Sequence, residues 1–482
     1  MGERQPTLFP LDFNRSIRIE GRPERLTGDA GVLALRQIDH RLGLSDWLAR
    51  HLIDPRNQEL ITHPFVELLR SRLYLIAQGW RDGDDADTHR FDPALRLAVS
   101  QRRGLGPLSD PDPEHPANEP FGLASQPTLS RLLRTLSIPQ NRTILRHSLL
   151  VSAEQHLRAT RRHRPRYATV DIDSYNLTVH GHQPGSAYNG YYHERCYHPI
   201  AAMFAPTGDW IDVALREGNV HTANGAAEFI FGVIEAVEGD LCQVGDVRGD
   251  AGFPDEELLG GLEERGIGYV FRLKDNEVLK RMVEPYLVRP AGRPPAEPRL
   301  WLYELTYQAE SWSRPRRLVT VVKEVPGELF LDYFFLVTAW SDTQMDAESV
   351  LGYYRQRGRF ESFIGEFKDA LDPALSSSPR VKTHYRGQSP KKRYDSRDAF
   401  ACNEAQLVLY ALAYNLANVG RRGLEKITGV GWTVRRFRER LLKTPARIVL
   451  HARRAWVIIN DLIADHWQCL ARFLRSLHPV PT

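Results

Sequence analysis

The sequence predicts an α/β protein with a central sheet-and-helix core and helical regions at both ends. Strand patterns occur at about 167–173, 198–205 and 210–216. They are followed by a helix at 223–237, a strand at 241–247, a helix at 255–265, a strand at 267–273 and a helix at 276–285. Three strands, helix, strand, helix, strand is the ribonuclease-H-like order.

A second group of strands interrupts this core. Residues 300–309, 316–325 and 330–338 alternate like strands after a proline-rich break at 290–298. We therefore expect a ribonuclease-H-like catalytic core interrupted by a β-rich insertion and flanked by helical N- and C-terminal regions. The expected divisions are a helical domain at 1–160, the first part of the core at 161–290, the insertion at 291–340, the second part of the core at 341–376 and a basic helical C-terminal region at 377–482.

Composition agrees with a globular, intracellular protein. Of the 482 residues 42% are hydrophobic and 26% charged, with a formal net charge of +4. The four cysteines form no CxxC pair, and the first 15 residues contain no apolar signal-peptide core, so we expect a cytoplasmic protein without disulfides. The apolar run 405–419 is interrupted by Gln406, Asn415 and Asn418, which is too short and polar for a membrane span.

The positive charge is concentrated near the C-terminus. Residues 380–397 carry seven Lys/Arg against one acid, and residues 421–475 carry thirteen against four. Such a basic quarter indicates a polyanionic partner, although a solvated surface is the alternative.

A candidate site lies on the helix that we expect to begin near Met345. It carries Tyr354, Arg357, Glu361 and Lys368. On a continuous helix these four side chains fall within roughly a 60° arc, whereas Phe360, Phe363 and Phe367 lie on another face suited to a core. One carboxylate thus lies in a column of two cations and a phenol. An ordinary solvated glutamate is the alternative interpretation.

Two further acids accompany Glu361. In the alternating strand 167–173, Thr169, Asp171 and Asp173 point to one side. Asp250 follows the strand 241–247 in a turn with glycines on both sides. Cleavage and transfer of phosphodiesters use two divalent cations ~4 Å apart. Mg²⁺ takes oxygen ligands such as these carboxylates, and Arg and Lys would hold the remaining phosphates.

The chain resembles the DDE transposases of bacterial insertion sequences that carry the Tyr-Arg-Glu-Lys signature, and in particular the group-one DDE-domain transposases. The resemblance extends over nearly the whole chain. The motifs that carry it lie at 26–31, 123–131, 171–173, 180–192, 218–221, 248–253 and 411–416, together with the helix of Glu361. One departure concerns the first acid, because Ser174-Tyr175 follows Asp173 where the family commonly has a small residue and Thr.

The resemblance implies a cut-and-paste transposase that cleaves transposon ends, through a hairpin intermediate, and joins them to target DNA. It implies Asp173, Asp250 and Glu361 as catalytic and metal-binding residues with two Mg²⁺ or Mn²⁺ ions. Asp171 is the alternative first acid, since both aspartates face the same way. The implied partners are the double-stranded terminal inverted repeats, target DNA and a second subunit in a homodimer that cuts in trans.

The helical domain at 1–160 is expected to bind DNA. DNA contacts are expected from Tyr354, Arg357 and Lys368, and from Arg131 on a helix that begins near Ser125. The alternative interpretation is that this helix is an ordinary surface helix that does not contact DNA. Two other function classes stay open: a metal-dependent nuclease without strand transfer and a non-catalytic DNA-binding repressor. A zinc site from His180, His182, His193, Cys196 and His198 is a further alternative, although its spacing is not standard. Trp301, Trp312 and Trp340 are candidates for holding a flipped base or for core packing.

Overall fold

The chain folds around one large mixed sheet with helices at both ends. The computed structural model describes residues 11–17, 19, 21–109, 122–160, 164–292, 295–378 and 396–480. Most of the proline-rich stretch after residue 105 and of the basic run 380–397 therefore lies outside the described residues.

The N-terminal region is helical except for one short strand. Its elements are β1 (Arg25–Thr27), α1 (Val32–Leu42), α2 (Leu44–His51), α3 (Phe65–Ala77), α4 (Asp85–His89), α5 (Pro93–Val99), α6 (Gln126–Leu136) and α7 (Pro139–Thr160). Helix α6 begins directly after Ser125, where a helix was predicted to begin. Its leucines Leu129, Leu132 and Leu136 are buried, so the other face carries Arg131.

The central region contains the predicted strands and helices in the predicted order. They are β2 (Tyr167–Ser174), β3 (Leu177–Thr178), β4 (Ala187–Asn189), β5 (Glu194–Tyr197), β6 (Ile200–Phe204), β7 (Asp209–Ala214), α8 (Ala226–Asp240), β8 (Gln243–Gly249), α9 (Glu256–Glu264), β9 (Gly268–Leu273), α10 (Glu277–Val283), β10 (Arg299–Tyr307), β11 (Arg316–Glu324), β12 (Asp332–Thr338), α11 (Ala347–Arg355) and α12 (Gly358–Glu366).

Eight strands form the main sheet in the order β10-β11-β12-β9-β8-β2-β6-β7. Strand β8 is parallel to both β2 and β9, and the other neighbours are antiparallel. The predicted insertion is β-rich, and its strands extend the central sheet by pairing β12 with β9. Strands β3, β4 and β5 follow β2 and precede β6 in the chain. They form a separate small sheet in the order β3-β5-β4.

The C-terminal region is not wholly helical, contrary to the prediction. It contains α13 (Ser396–Thr428), α14 (Val434–Phe437), β13 (Ala446–His451), β14 (Arg454–Ile459) and α15 (Ala464–Ser476). Strands β13 and β14 form a hairpin, and β1 pairs with β13. The two terminal regions thus share a three-stranded sheet, and their helices also share one hydrophobic core.

Helix α13 fastens this shared core to the main sheet. It packs against α3, α7 and β7. The Asn415 side chain accepts a hydrogen bond from the Trp210 backbone N–H at 2.8 Å and donates one to the Trp210 carbonyl at 2.8 Å. Asn418 likewise donates to Asp209 Oδ1 at 2.7 Å, so two of the three polar residues that interrupt the apolar run are buried hydrogen-bond links between α13 and β7. No described helix has the length and apolar character needed to cross a membrane.

Candidate active site

Strand β2 places two aspartates on one side of the sheet. Ala168, Val170 and Ile172 are buried in the core on the opposite side, as the alternation predicts. Because β2 lies between β8 and β6, Asp171 and Asp173 project from the middle of the sheet. The structure gives the two carboxylates different partners.

The Asp171 carboxylate is held by a single arginine. Arg248 donates from Nε to Oδ1 at 2.7 Å and from Nη2 to Oδ2 at 2.9 Å, and both side chains are almost fully buried. Burial raises the pKa of Asp171, and the hydrogen bonds from Arg248 oppose that rise. Both oxygens of Asp171 are thus engaged by a guanidinium fork.

The Asp173 carboxylate lies within a group of acids. Its Oδ2 accepts a hydrogen bond from Arg357 Nη2 at 2.8 Å, and its Oδ1 accepts one from the Ser174 backbone N–H at 2.8 Å. Burial raises the pKa of Asp173 to about 7, and the charges of Asp250 and Glu361 add to the rise whereas Arg357 opposes it. Three carboxylates therefore interact electrostatically at this point.

Asp250 reaches this group from the end of β8. The turn depends on close approach of the backbone on both sides. A Cβ on Gly249 would lie 2.6 Å from the Phe271 ring, and one on Gly252 would lie 2.7 Å from Thr222. Larger residues at these two positions would displace the loop that carries Asp250.

Glu361 lies on α12, which is not continuous with α11, so the prediction of one helix from Met345 through Lys368 is wrong. In a continuous helix the Arg357 N–H would bond to the Tyr353 carbonyl. Here it bonds to the Tyr354 carbonyl at 2.9 Å. The Tyr353 carbonyl instead accepts from Arg248 Nη1 at 3.1 Å and from the Gln356 N–H at 3.2 Å.

The helix break turns Arg357 inward. Its side chain is 4% exposed and also donates from Nη1 to Glu361, whose side chain is 60% exposed. One guanidinium therefore bridges Asp173 on the sheet and Glu361 on α12. Phe360 and Phe367 are buried and Phe363 is partly buried, as predicted for the core-facing side.

The other predicted members of the column are divided. Tyr354, at the end of α11, is near the acids, because the charges of Asp250 and Glu361 contribute to raising its pKa after burial, while Arg357 opposes them. Lys368 lies in a π-helical turn at 367–371 and donates to Asn176 Oδ1 at 2.7 Å. Asn176 lies three residues after Asp173, so Lys368 is close to the site, but it contacts none of the three acids.

Arg131 lies apart from this group on the exposed face of α6. Its Nη2 donates to the Thr128 hydroxyl at 3.0 Å, within its own helix. The structure therefore places Arg131 on the surface of the helical region.

The donor chemistry at the acid group fits hard divalent cations. Three carboxylates supply oxygen ligands, and their mutual repulsion is offset in this structure by Arg357. Among the described residues no three His, Cys, Asp or Glu side chains are already arranged around a common ion position. In this structure the Arg357 guanidinium lies between the Asp173 and Glu361 carboxylates.

Sequence reasoning missed the residues that support the site. The Tyr353 hydroxyl bonds to Thr169 Oγ1 at 2.6 Å and to Asp246, whose pKa burial raises to about 6. The Tyr353 ring also lies 4.8 Å from the Arg248 guanidinium. The position of Arg248 in the Arg-Gly-Asp run was visible, but its partner could not be read from the sequence.

Tyr192 is a further neighbour of the acids. Burial raises its pKa to about 12, and the charges of Asp173 and Asp250 contribute. Its approach depends on the small sheet β3-β5-β4, which the sequence did not predict. The five residues of the alternative zinc site form no group of three metal ligands among the described residues, and His198 Nδ1 bonds to the Val220 carbonyl at 2.8 Å.

The three insertion tryptophans pack against apolar cores. Trp312 is buried beside Tyr307, with ring centroids 5.5 Å apart. Trp301 packs on the same cluster, and Trp340 packs edge-on against Tyr353 at 5.4 Å. The core-packing alternative accounts for all three positions.

Comparison with known proteins identifies a family and structural likenesses to solved proteins. A family model described as "Transposase DDE domain group 1" matches residues 9–481. A search of curated proteins returned no match. Among solved structures, the chain is similar to a piggyBac transposase in a cryo-EM synaptic complex with hairpin DNA. The identity is 12% and the TM-score 0.38, with 95% of this chain and 87% of that chain covered.

Proposed function

The chain belongs to the group 1 family of transposase DDE domains, and from that premise we propose that it cleaves transposon ends and joins them to target DNA by a cut-and-paste route. The observation that carries the proposal is the acid group itself. Asp173 from β2, Asp250 after β8 and Glu361 on α12 are brought within electrostatic reach of one another around Arg357. We infer a ribonuclease-H-like core, supported by the order of strands and helices from β2 to β9.

We assign Asp173 rather than Asp171 as the first acid. Both oxygens of Asp171 are engaged by Arg248, and the pair is almost fully buried. Asp173 is the aspartate whose pKa responds to Asp250 and Glu361. Asp171 then acts through Arg248, which fixes the helix break that turns Arg357 inward.

Asp173, Asp250 and Glu361 would hold the divalent cations, Mg²⁺ or Mn²⁺, two to a site. Bound there, such cations supply a deprotonated oxygen nucleophile and stabilise the leaving oxygen. Arg357 neutralises two of the acids without cations. With cations bound at these carboxylates, the planar fork of Arg357 would be free to hold a phosphate of the DNA end. Tyr354 and Lys368 would contact the same strand on either side.

The decisive experiment measures cleavage of a duplex that carries the inverted repeat flanking the gene, in MgCl₂ or MnCl₂. Asp173→Asn, Asp250→Asn and Glu361→Gln should each abolish cleavage while leaving end binding largely intact. Glu348→Gln, an exposed acid at the start of α11, is the matched control and should cleave like the parent. Full cleavage by Glu361→Gln would refute the assignment.

Strand transfer is measured in the same reaction. Joining of the cleaved ends to a target plasmid supports the transposase, and a covalently closed end product supports a hairpin intermediate. Cleavage without joining supports the nuclease alternative, and binding without cleavage supports the repressor alternative.

We also propose that the active complex is a homodimer that cuts in trans. Both ends must be held together for cutting and joining. Mixing a Glu361→Gln chain with a chain defective in end binding should restore cleavage if each subunit cuts the end gripped by its partner. A strictly additive loss of activity in the mixture would contradict this.

A further inference from the structure

The C-terminal hairpin has an unusual turn. Strands β13 and β14 pair from Ala446–Ile459 to His451–Arg454, leaving a two-residue connection. Its residues, Ala452 and Arg453, have φ values of 48° and 61°. Two residues with positive φ between antiparallel strands make a type I′ turn, which matches the twist of the strands.

The residues of this turn do not suit its backbone. A type I′ turn favours Asn-Gly, because residues with a Cβ are disfavoured at positive φ. Here alanine and arginine occupy both positions. Strain of this kind persists at sites where the side chain serves a function. Ala452 and Arg453 are thus both held in a backbone conformation that their residue types disfavour.

The tip carries cations without acids. Arg453 and Arg454 are exposed, and neither makes an ion pair or hydrogen bond within the described part of the chain. By contrast, Arg447 lower on β13 lies 3.8 Å from Glu24. His451 is the other exposed titratable residue at the tip.

The outer face of the three-stranded sheet continues from this tip. Trp456 is 54% exposed, Ile458 50% and Leu26 of β1 61%. The alternate residues of the hairpin, including Ile448 and Val457, pack against the helical core on the other face. The hairpin is thus anchored on one side, and on the other presents an aromatic ring two residues from an unpaired guanidinium.

We propose that hairpin β13–β14 is a contact surface for duplex DNA, with Arg453 and Arg454 on backbone phosphates and Trp456 beside the sugar–phosphate chain. Beyond Ile448, the last residue of β13 that pairs with β1, the hairpin is a two-stranded β-ribbon, and such a ribbon fits the major groove of B-DNA. A second copy of the chain related by two-fold symmetry would bring like charges together at the tip, whereas DNA complements them. The inference rests on the proposed function for its partner and assigns part of end binding to this hairpin.

The test measures the affinity of the full chain for two duplexes over a range of KCl concentrations. One duplex carries the flanking inverted repeat and the other is a shuffled sequence of equal length. Arg453→Gly should weaken binding to both by roughly tenfold, because a charge-assisted contact is lost. The slope of log affinity against log salt should become shallower by about one. Thermal stability should be unchanged or higher, because glycine suits the turn.

Two control variants test the backbone of the turn and the loss of a positive charge elsewhere on the surface. Ala452→Gly relieves the same backbone without removing the arginine, and should bind like the parent. Arg265→Gln removes an exposed cation at the C-cap of α9, a helix that packs on the other hydrophobic core, and should also leave the affinity and salt slope unchanged.

The inference would be overturned if Arg453→Gly bound DNA with the same affinity and the same salt slope as the parent. The inference would also be overturned if Trp456→Ala or Arg453→Gly changed the oligomeric mass of the DNA-free protein but left its DNA affinity unchanged. The face would then bind a second copy of the chain. Failure of the proposed function is distinguishable. A parent chain that binds these duplexes through the hairpin but cleaves neither in Mg²⁺ or Mn²⁺ supports the inference and contradicts the transposase.

Discussion

Asp171→Asn should destabilise the protein strongly and still permit cleavage. Asp171 lies two residues before Asp173 on the same face of β2, so the sequence alone cannot tell which of the two is the first acid. In the structure Asp171 is the counter-ion of a buried arginine, and no contact links it to Glu361. Its replacement therefore tests whether the first acid has been assigned correctly.

The magnitude follows from the Arg248 contacts. Both side chains are about 5% exposed or less, and the two hydrogen bonds between them measure 2.7 and 2.9 Å. An asparagine keeps one acceptor but places an NH₂ group against a guanidinium nitrogen. Removing one partner of a buried pair leaves the other charge uncompensated, which costs about 3–5 kcal/mol.

Urea unfolding followed by tryptophan fluorescence measures this cost for Asp171→Asn beside the parent. The double variant Asp171→Asn, Arg248→Met removes the unpaired charge and should be more stable than Asp171→Asn alone. Cleavage of the inverted-repeat duplex is assayed well below the unfolding transition of each variant, so that lost activity is not lost protein.

The reasoning is refuted by the opposite pattern. If Asp171→Asn unfolds at the parent urea concentration and does not cleave, Asp171 is a ligand and its pairing with Arg248 is not structural. If Asp173→Asn cleaves at the parent rate, the first acid has been misassigned.

Three further predictions concern Arg357, Asp173 and Arg131. Arg357→Ala should weaken the catalytic complex more than Arg357→Lys, because lysine keeps the charge and loses only the planar fork; parent-rate cleavage by Arg357→Ala would make the arginine structural. The parent should lose stability as pH rises from about 4 to about 7, because the raised pKa of Asp173 means that the folded state holds its proton longer than the unfolded state. Thermal melts of Asp173→Asn should lack that part of the decline, and an identical pH profile would contradict the cause. Arg131→Ala should either relax preference at one base pair at a cost of ~1–3 kcal/mol, or weaken all sequences and lower the salt slope by about one. Unchanged affinity and salt slope would show that α6 does not touch DNA.

The sequence alone determined the elements with strong local periodicity. The strand of Asp173, the alternating helices and strands to residue 283, and the three strands at 299–338 were predicted nearly to their bounds. These patterns report on which side chains are buried, and burial in a sheet or helix repeats with a fixed period. The start of α6 near Ser125 was likewise predicted.

Long-range contacts decided the rest. The predicted continuous helix is broken because Arg248, 105 positions before Tyr353, takes its carbonyl. The predicted insertion joins the main sheet because β12 pairs with β9, and the hairpin β13–β14 pairs with a strand more than 400 residues earlier. A single sequence records what each residue prefers locally. It does not record which distant group completes a buried hydrogen bond, and at Asp171, Asp173 and Arg357 those distant partners determine each residue's role.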